Sequence, residues 1–415
     1  MRLIRAVSGL DGWVGFGVAV AGPDDQGEDG PGERDRGAHE EGGVHPGGEG
    51  GVAEVSDHAG GLRRRAAQMS PTEVREMSTM QVSVLRGVGQ VDVEERPIPH
   101  PAADEVLVEI GSVGVCGSDV HYYEHGRIGP YVVDSPLVLG HEAGGVVTAI
   151  GAQVTSLEVG QRVSIEPGVP CRHCPQCLAG RYNLCPDVRF FATPPYDGAF
   201  SQFVVMPAAF VYPVLDSISD DSAGLLEPLS VGVWACRRAQ LAPGSTVLVT
   251  GAGPIGLIAA QTARAYGADA VTVTDVNPHR LRLAERLGLG IVDVSQSTLA
   301  DAGIEADALL ECSGNARATW DAVSTMARAG RVILVGMGGD TVQLPLSYVQ
   351  DRELMITGAF RYANTWPTAI QLAASGRVNL DAMVTGHYGL HDVEAALTAS
   401  KNDPTTIKAI VRPGE

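Results

Sequence analysis

Four of the chain's seven cysteines crowd into one short stretch, Cys171-x2-Cys174-x2-Cys177-x7-Cys185. Zinc takes four thiolates tetrahedrally, and a shell closed by four protein sulfurs leaves no position for a substrate. This group therefore reads as a structural zinc site, with His173 as a loop residue beside a filled shell. A second set is scattered along the chain: Cys116 in Val-Cys-Gly-Ser-Asp, His141 and Glu142 in Gly-His-Glu-Ala-Gly, and Glu227 in Leu-Glu-Pro. One thiolate, one imidazole and carboxylates, with a coordination position left over, is the layout of a catalytic zinc. Spacing alone leaves Cys116 equally readable as a small buried hydrophobe.

A third constellation is contiguous. Val247–Thr250 is an apolar strand that runs into Gly251-Ala252-Gly253-Pro254-Ile255-Gly256 and then into an apolar helical segment ending near Tyr266. The G-x-G-x-x-G pattern has its required strand before and helix after. Gly251 makes the tight turn, Gly253 lets backbone approach a pyrophosphate, and Gly256 allows close helix–strand packing, with the helix N-terminus facing the phosphates. The next strand ends at Asp275, where a carboxylate binds the ribose 2′-hydroxyl of NAD and repels the 2′-phosphate of NADP. Arg280 follows closely and is expected to help hold the adenosine ribose.

The elements that must position these residues fall into two styles. From about Met80 to Glu227, short strands, turns and many Gly and Pro residues read as an irregular, mostly β domain; Gln81–Leu85 and Val91–Glu95 are its first strands. From Ser230 to about Tyr362, apolar strands (Thr246–Thr250, Ala270–Thr274, Ala308–Glu311, Arg331–Val335, Leu354–Gly358) alternate with helices (Ile255–Tyr266, Arg280–Leu287, Arg317–Ala327). That alternation predicts βαβ units on a parallel, doubly wound sheet, an α/β Rossmann domain. The tail, with a helix at Val393–Ala399, is expected to fold back onto the β domain. The predicted division is 1–78 extension, 79–229 catalytic domain, 230–365 NAD-binding domain and 366–415 catalytic domain again.

Residues 23–61 are dominated by Gly, Asp and Glu and cannot bury enough surface to offset their ordering entropy. Met77 and Met80 are candidate starts, so residues 1–76 are expected to be either a disordered tail or a mis-assigned start of translation. Arg2 and Arg5 before Trp13–Ala21 faintly resemble a signal peptide, but Asp11 and the glycines interrupt the apolar run. A formal charge of −19 argues against a phosphate-backbone binder. No apolar run reaches membrane-spanning length. An odd cysteine count with a metal-type cluster implies a reducing cytoplasm. Cys236 and Cys312 read as buried small residues.

Taken together, Cys-Gly-Ser-Asp-Val-His at 116–121, Gly-His-Glu at 140–142, the cysteine lobe, Glu-Pro-Leu-Ser-Val-Gly at 227–232 and the glycine turn resemble the medium-chain zinc dehydrogenases. Their catalytic domain is GroES-like. Phe-Arg-Tyr-Ala-Asn-Thr-Trp-Pro at 360–367, Arg-Tyr-Asn-Leu at 181–184 and Ala-Thr-Pro-Pro-Tyr-Asp-Gly at 192–198 look like the sorbitol and xylitol dehydrogenase branch. The resemblance covers about Met80 to Val411.

It implies an NAD-linked oxidation of a polyol to a ketose, with one catalytic and one structural zinc per chain. Cys116, His141 and Glu142 match the catalytic metal ligands, and Glu227 a carboxylate that holds the metal-bound water or ligates directly. Tyr122, Phe190, Arg361 and Tyr362 match the polyol pocket, and Ser118 and His121 a proton relay. Ile255, Asp275, Arg280, Val335, Gly336, Met337, Ala359, Phe360 and Arg361 match cofactor contacts. By resemblance alone the assembly is a homotetramer. An L-threonine or simple alcohol dehydrogenase shares the zinc and NAD motifs but not the run at 360–367. A non-catalytic NAD-binding protein has no reason to keep an open zinc site.

Overall fold

The strand Thr79–Gly87 folds back on Gln90–Pro97 as an antiparallel hairpin, with Gly89 at φ +69° in its turn. A computed structural model describes this protein over residues 78–415, and the expectations for the segment before Ser78 lie outside the described residues.

The first large sheet is built around the long strand Glu105–Gly114. Glu142–Ile150 pairs with it on one side and Lys408–Val411 on the other, both antiparallel. Arg162–Ile165 and Val211–Pro213 extend the first side, Val384–Tyr388 extends the second, and Phe203–Pro207 also pairs with Glu105–Gly114. Two strands of the C-terminal tail thus lie in this sheet. Val106, Val108, Val147, Val163 and Phe200 fill the core beneath.

The second sheet has six strands, all parallel: Thr246–Thr250, Ala270–Asp275, Gly290–Asp293, Ala306–Glu311, Met326–Leu334 and Met355–Gly358. From edge to edge their chain order is 3-2-1-4-5-6, the doubly wound dinucleotide-binding order. Alternate residues of the central strands serve two cores. Val247, Val249 and Leu310 pack with Leu257 and Ile258 on one face. Leu248, Leu309 and Val332 pack with Ala322 and Val323 on the other. Burial on both faces explains why these strands read as nearly continuous apolar runs.

The structure departs from the expected elements in three places, one of them the edge strand Gly290–Asp293, which was not foreseen. The helix expected over Arg317–Ala327 spans Ala316–Val323, because Met326 already enters the next strand, in register with Ala306. The helix Leu226–Ala239 was not foreseen and runs straight through the expected boundary between 229 and 230. Its Leu226 and Leu229 share a core with Trp366 and Leu372 of helix Trp366–Ala374. Among the described residues no helix is long and apolar enough to cross a membrane.

Candidate active site and metal centres

Three chain segments converge where Glu105–Gly114 ends. Two residues on, Cys116 precedes the helix Gly117–His125. Glu142 opens the neighbouring strand opposite Gly114, and Lys408 opens the strand on the other side. The convergence needs a glycine: a Cβ at Gly114 would sit 2.0 Å from Glu142 Oε2. Gly140, just before the His-Glu pair, takes φ +86° with its α-carbon against the Phe200 ring. The ligand atoms of Cys116, His141 and Glu142 all lie within 4.8 Å of one another.

Asp119, fully buried, accepts from the backbone NH of Cys116 and of Gly140, each at 3.0 Å. Its carboxylate lies 3.6 Å from His141 Nδ1, leaving the other ring nitrogen for a ligand bond. A carboxylate behind a histidine is the usual outer support of a zinc ligand. Burial alone would raise the Asp119 pKa, but His141 holds it below the ordinary carboxylate value. Sulfur, imidazole and carboxylate donors gathered in one buried place fit a zinc ion.

Glu227, in the first turn of Leu226–Ala239, stands outside that three-membered group and accepts from Tyr362 Oη at 2.6 Å. Burial pushes its carboxyl up to about 7, with Glu142's charge adding and His141, Tyr362 and Lys408 pulling the other way. Arg361 takes φ +50° and lays its guanidinium 3.8 Å from the centre of the Phe190 ring. The Phe190 ring is in turn 5.8 Å from that of His141. One guanidinium nitrogen of Arg361 is buried with no protein partner, a donor that a hydroxylated ligand would satisfy. Tyr122 is buried alongside, its hydroxyl pushed up to about 12 mainly by burial.

The proposed relay is less well joined. His121 is exposed and stacks on His125 at 4.4 Å, and among the described residues no hydrogen bond links it to Ser118.

The four-cysteine lobe is compact. Cys174 Sγ lies 3.4 Å from Cys177 Sγ, and Cys171 Sγ 3.9 Å from Cys177 Sγ. These bracket the roughly 3.8 Å edge of a tetrahedron with ~2.3 Å zinc–sulfur bonds. Backbone NH groups of Cys171, Cys174 and Cys177 point at Cys185, Cys171 and Cys174 sulfurs respectively. The NH groups of His173 and Cys174 draw the Cys171 thiol down to about 6. The lobe fits a zinc ion closed to substrate. Of the remaining cysteines, Cys236 is buried and Cys312 half-buried.

The glycine turn meets the geometry its spacing predicts. Gly251 has φ +85°, and a Cβ at Gly256 would fall 1.8 Å from Gly251 O. Gly253 precedes the helix Pro254–Ala265, and a Cβ there would meet nothing within 4 Å, so its face is open to a phosphate. Asp275 Oδ2 accepts from Ala252 N at 2.7 Å, while Oδ1 accepts from Val276 and Asn277 N. The carboxylate thus buttresses the turn. Gly251 and Asp275 border a cleft of about 780 Å³ that Ser313, Arg317 and Trp320 also line. Arg280 Nε is buried without a partner. Val335 and Gly336 donate their NH groups to Glu311 O, and Met337 and Phe360 are exposed. A Cβ at Gly336 would collide with Gly314 at 2.4 Å, so this crossing of two loops requires glycine.

Fold and site together define a two-metal, dinucleotide-binding oxidoreductase. The family model for the alcohol dehydrogenase GroES-like domain matches residues 102–216, and that for zinc-binding dehydrogenases matches residues 254–375. The chain belongs to the zinc-dependent medium-chain dehydrogenases. Within that family it is similar to sorbitol dehydrogenases. That of Bacillus subtilis (strain 168) is 41% identical over 347 residues, covering 80% of this chain and 97% of that one. That of Mus musculus is 43% identical over 328 residues, covering 77% and 92%. Among solved structures, an alcohol dehydrogenase of Escherichia coli CFT073 complexed with NADH superposes with a TM-score of 0.75 at 29% identity. It covers 81% of this chain and 99% of its own.

Asp119 and Lys408 are the site residues that sequence reasoning missed. Asp119 lies three residues after Cys116, a spacing at which a carboxylate reaches back to the NH preceding a helix. Lys408 has no local signal at all, since it reaches Glu142 across 266 positions.

Proposed function

We propose that this protein oxidises a polyol such as sorbitol or xylitol at C2 to the ketose, with NAD as hydride acceptor. The observation that carries the reading is the convergence of Cys116, His141 and Glu142 within 4.8 Å, in a pocket where Glu227 is bonded to Tyr362 and Arg361 keeps a free buried donor. When bound, zinc supplies Lewis acidity that lowers a hydroxyl pKa toward neutrality, and the nicotinamide supplies the hydride acceptor.

The chain's own residues do the rest. Cys116, His141 and Glu142 hold the metal, and Asp119 fixes the ring of His141. Glu227 acts from outside the ligand set as the nearby proton acceptor, a buried carboxylate that already accepts from Tyr362 Oη. Arg361 and Tyr362 orient the remaining hydroxyls, while Tyr122 and Phe190 wall the pocket. Ser118 and the exposed His121 offer a route for the proton to solvent. Gly251, Gly253, Ile255, Gly256, Asp275 and Arg280 hold the adenosine and pyrophosphate half of NAD. Val335–Met337 and Ala359–Arg361 face its nicotinamide. Cys171, Cys174, Cys177 and Cys185 hold the structural zinc. In this reading residues 79–229 and 366–415 form the catalytic domain and 230–365 the NAD domain. The protein works as a cytoplasmic homotetramer.

NAD reduction rates across sorbitol, xylitol, ribitol, galactitol and threonine test the substrate class. Turnover of polyols without threonine supports it. Turnover of threonine or simple alcohols alone moves the protein to a sister activity. Metal analysis should find about two zinc ions per chain.

A further inference from the structure

The loop that carries Arg361 and Tyr362 is held by the four-cysteine lobe. Asn183 Nδ2 donates to Phe360 O at 2.9 Å, and Asn364 N donates to Tyr182 Oη at 2.7 Å. Asn364 Nδ2 donates to Gly180 O at 3.1 Å. Tyr182 and Asn183 lie between Cys177 and Cys185, so their placement follows from how those two sulfurs are held.

The far end of the tether is equally fixed. Tyr182 Oη donates to the buried Glu166, which also accepts from Tyr212. Asn183 is itself buried. The loop needs such anchors. Arg361 and Asn364 both adopt left-handed backbone, at φ +50° and +56°, a region that only neighbouring contacts can make a side-chain-bearing residue keep. Elsewhere the loop is held by Arg237, which donates to Asn364 O, and by Tyr362, which donates to Glu227.

We propose that Tyr182 and Asn183 are positioning residues for the polyol pocket, and that the structural zinc lobe thereby sets substrate affinity as well as stability. The inference rests on reading Arg361 and Tyr362 as substrate contacts. Neither Tyr182 nor Asn183 touches substrate. They fix the carbonyl of Phe360 and the NH of Asn364, the backbone points on either side of the two pocket residues. Loss of either bond frees the loop to relax out of its left-handed turn. Arg361 then leaves the Phe190 face, and the hydroxyl-binding donors disperse.

Tyr182→Phe removes one oxygen, and Asn183→Ala removes the other anchor. Each should raise KM for the polyol about tenfold while kcat falls less than about threefold, the pattern expected when ground-state and transition-state binding weaken together. The dissociation constant of NADH, read by fluorescence, and the zinc content per chain should stay at wild-type values. Amide hydrogen exchange over residues 358–365 should speed up in the substrate-free protein. Arg361→Ala is the control for the pocket itself. If it raises KM while both tether variants, folded and zinc-replete, leave KM and exchange unchanged, the positioning role is overturned. If Arg361→Ala leaves KM unchanged, the pocket assignment falls and the inference with it. A fall in melting temperature with kcat and both affinities lost in proportion also overturns it, since that marks a role in folding only.

Discussion

Lys408 Nζ and the Glu142 carboxylate form an ion pair at 2.6 Å, with side-chain exposures of 3% and 0%. Nζ also donates to Val115 O at 2.8 Å, beside Cys116. Burial alone would lower the lysine's pKa, but Glu142 and Cys116 more than reverse it. Removing one partner of a buried pair strands the other charge, at a cost of about 3–5 kcal/mol. Lys408→Met should therefore destabilise the zinc-free protein by about that amount. The zinc-loaded protein should lose less, because the cation takes over as counter-charge to Glu142. Denaturant unfolding with and without zinc measures both, and equal losses in the two states would show that Lys408 and the metal do not share Glu142.

Cys116→Ser should lower the zinc content from about two to about one ion per chain and cut turnover about a thousandfold or more, given that such a metal contributes several kcal/mol to the transition state. The lobe at Cys171–Cys185 is far along the chain and keeps its ion, so circular dichroism and melting temperature should change little. Two zinc ions retained in the folded variant would remove Cys116 from the ligand set.

Asp275 carries a double duty, because the carboxylate expected to select NAD also accepts from Ala252 N in the glycine turn. Asp275→Ala should raise the ratio of NADP to NAD use, read as kcat/KM for each. It should also cost about 1 kcal/mol or more of stability, since a bond to a charged acceptor is lost. An unchanged cofactor ratio would leave Asp275 as a purely structural buttress.

Five of the six parallel strands were legible as apolar runs, whereas Gly290–Asp293, a four-residue edge strand with only Val292 buried, was not. Gly251, Gly253 and Gly256 carried their turn geometry in three letters. The helix Leu226–Ala239 was not legible: Pro228 and Gly232 break its pattern locally, and its stability comes from packing against Pro254–Ala265 and Trp366–Ala374. The same division runs through the site. Cys116, His141 and Glu142 were candidates by residue type, and the family resemblance singled them out. Lys408 and the tether of Tyr182 and Asn183 to the loop at 360–364 depend on strand pairing and long-range contact, which one-dimensional spacing does not encode.

Glu166 gives a pH test of the buried frame behind the pocket. Its two oxygens accept from Tyr182 and Tyr212 at 2.8 and 2.9 Å, and burial raises its pKa above the ordinary 4.5. With the folded pKa raised, the folded state holds this proton more tightly than the unfolded chain. The group's contribution to stability is therefore full below about 4.5 and is lost as pH rises through the folded pKa. Glu166→Gln keeps an oxygen acceptor for one tyrosine and an amide donor for the other, and it has no proton to release. The variant's stability relative to wild type should therefore increase as pH is raised from 4.5 toward neutrality. Urea midpoints taken across that range read the difference directly. A difference that stays flat or falls with pH would mean that the two tyrosine hydroxyls hold Glu166 ionised at no cost.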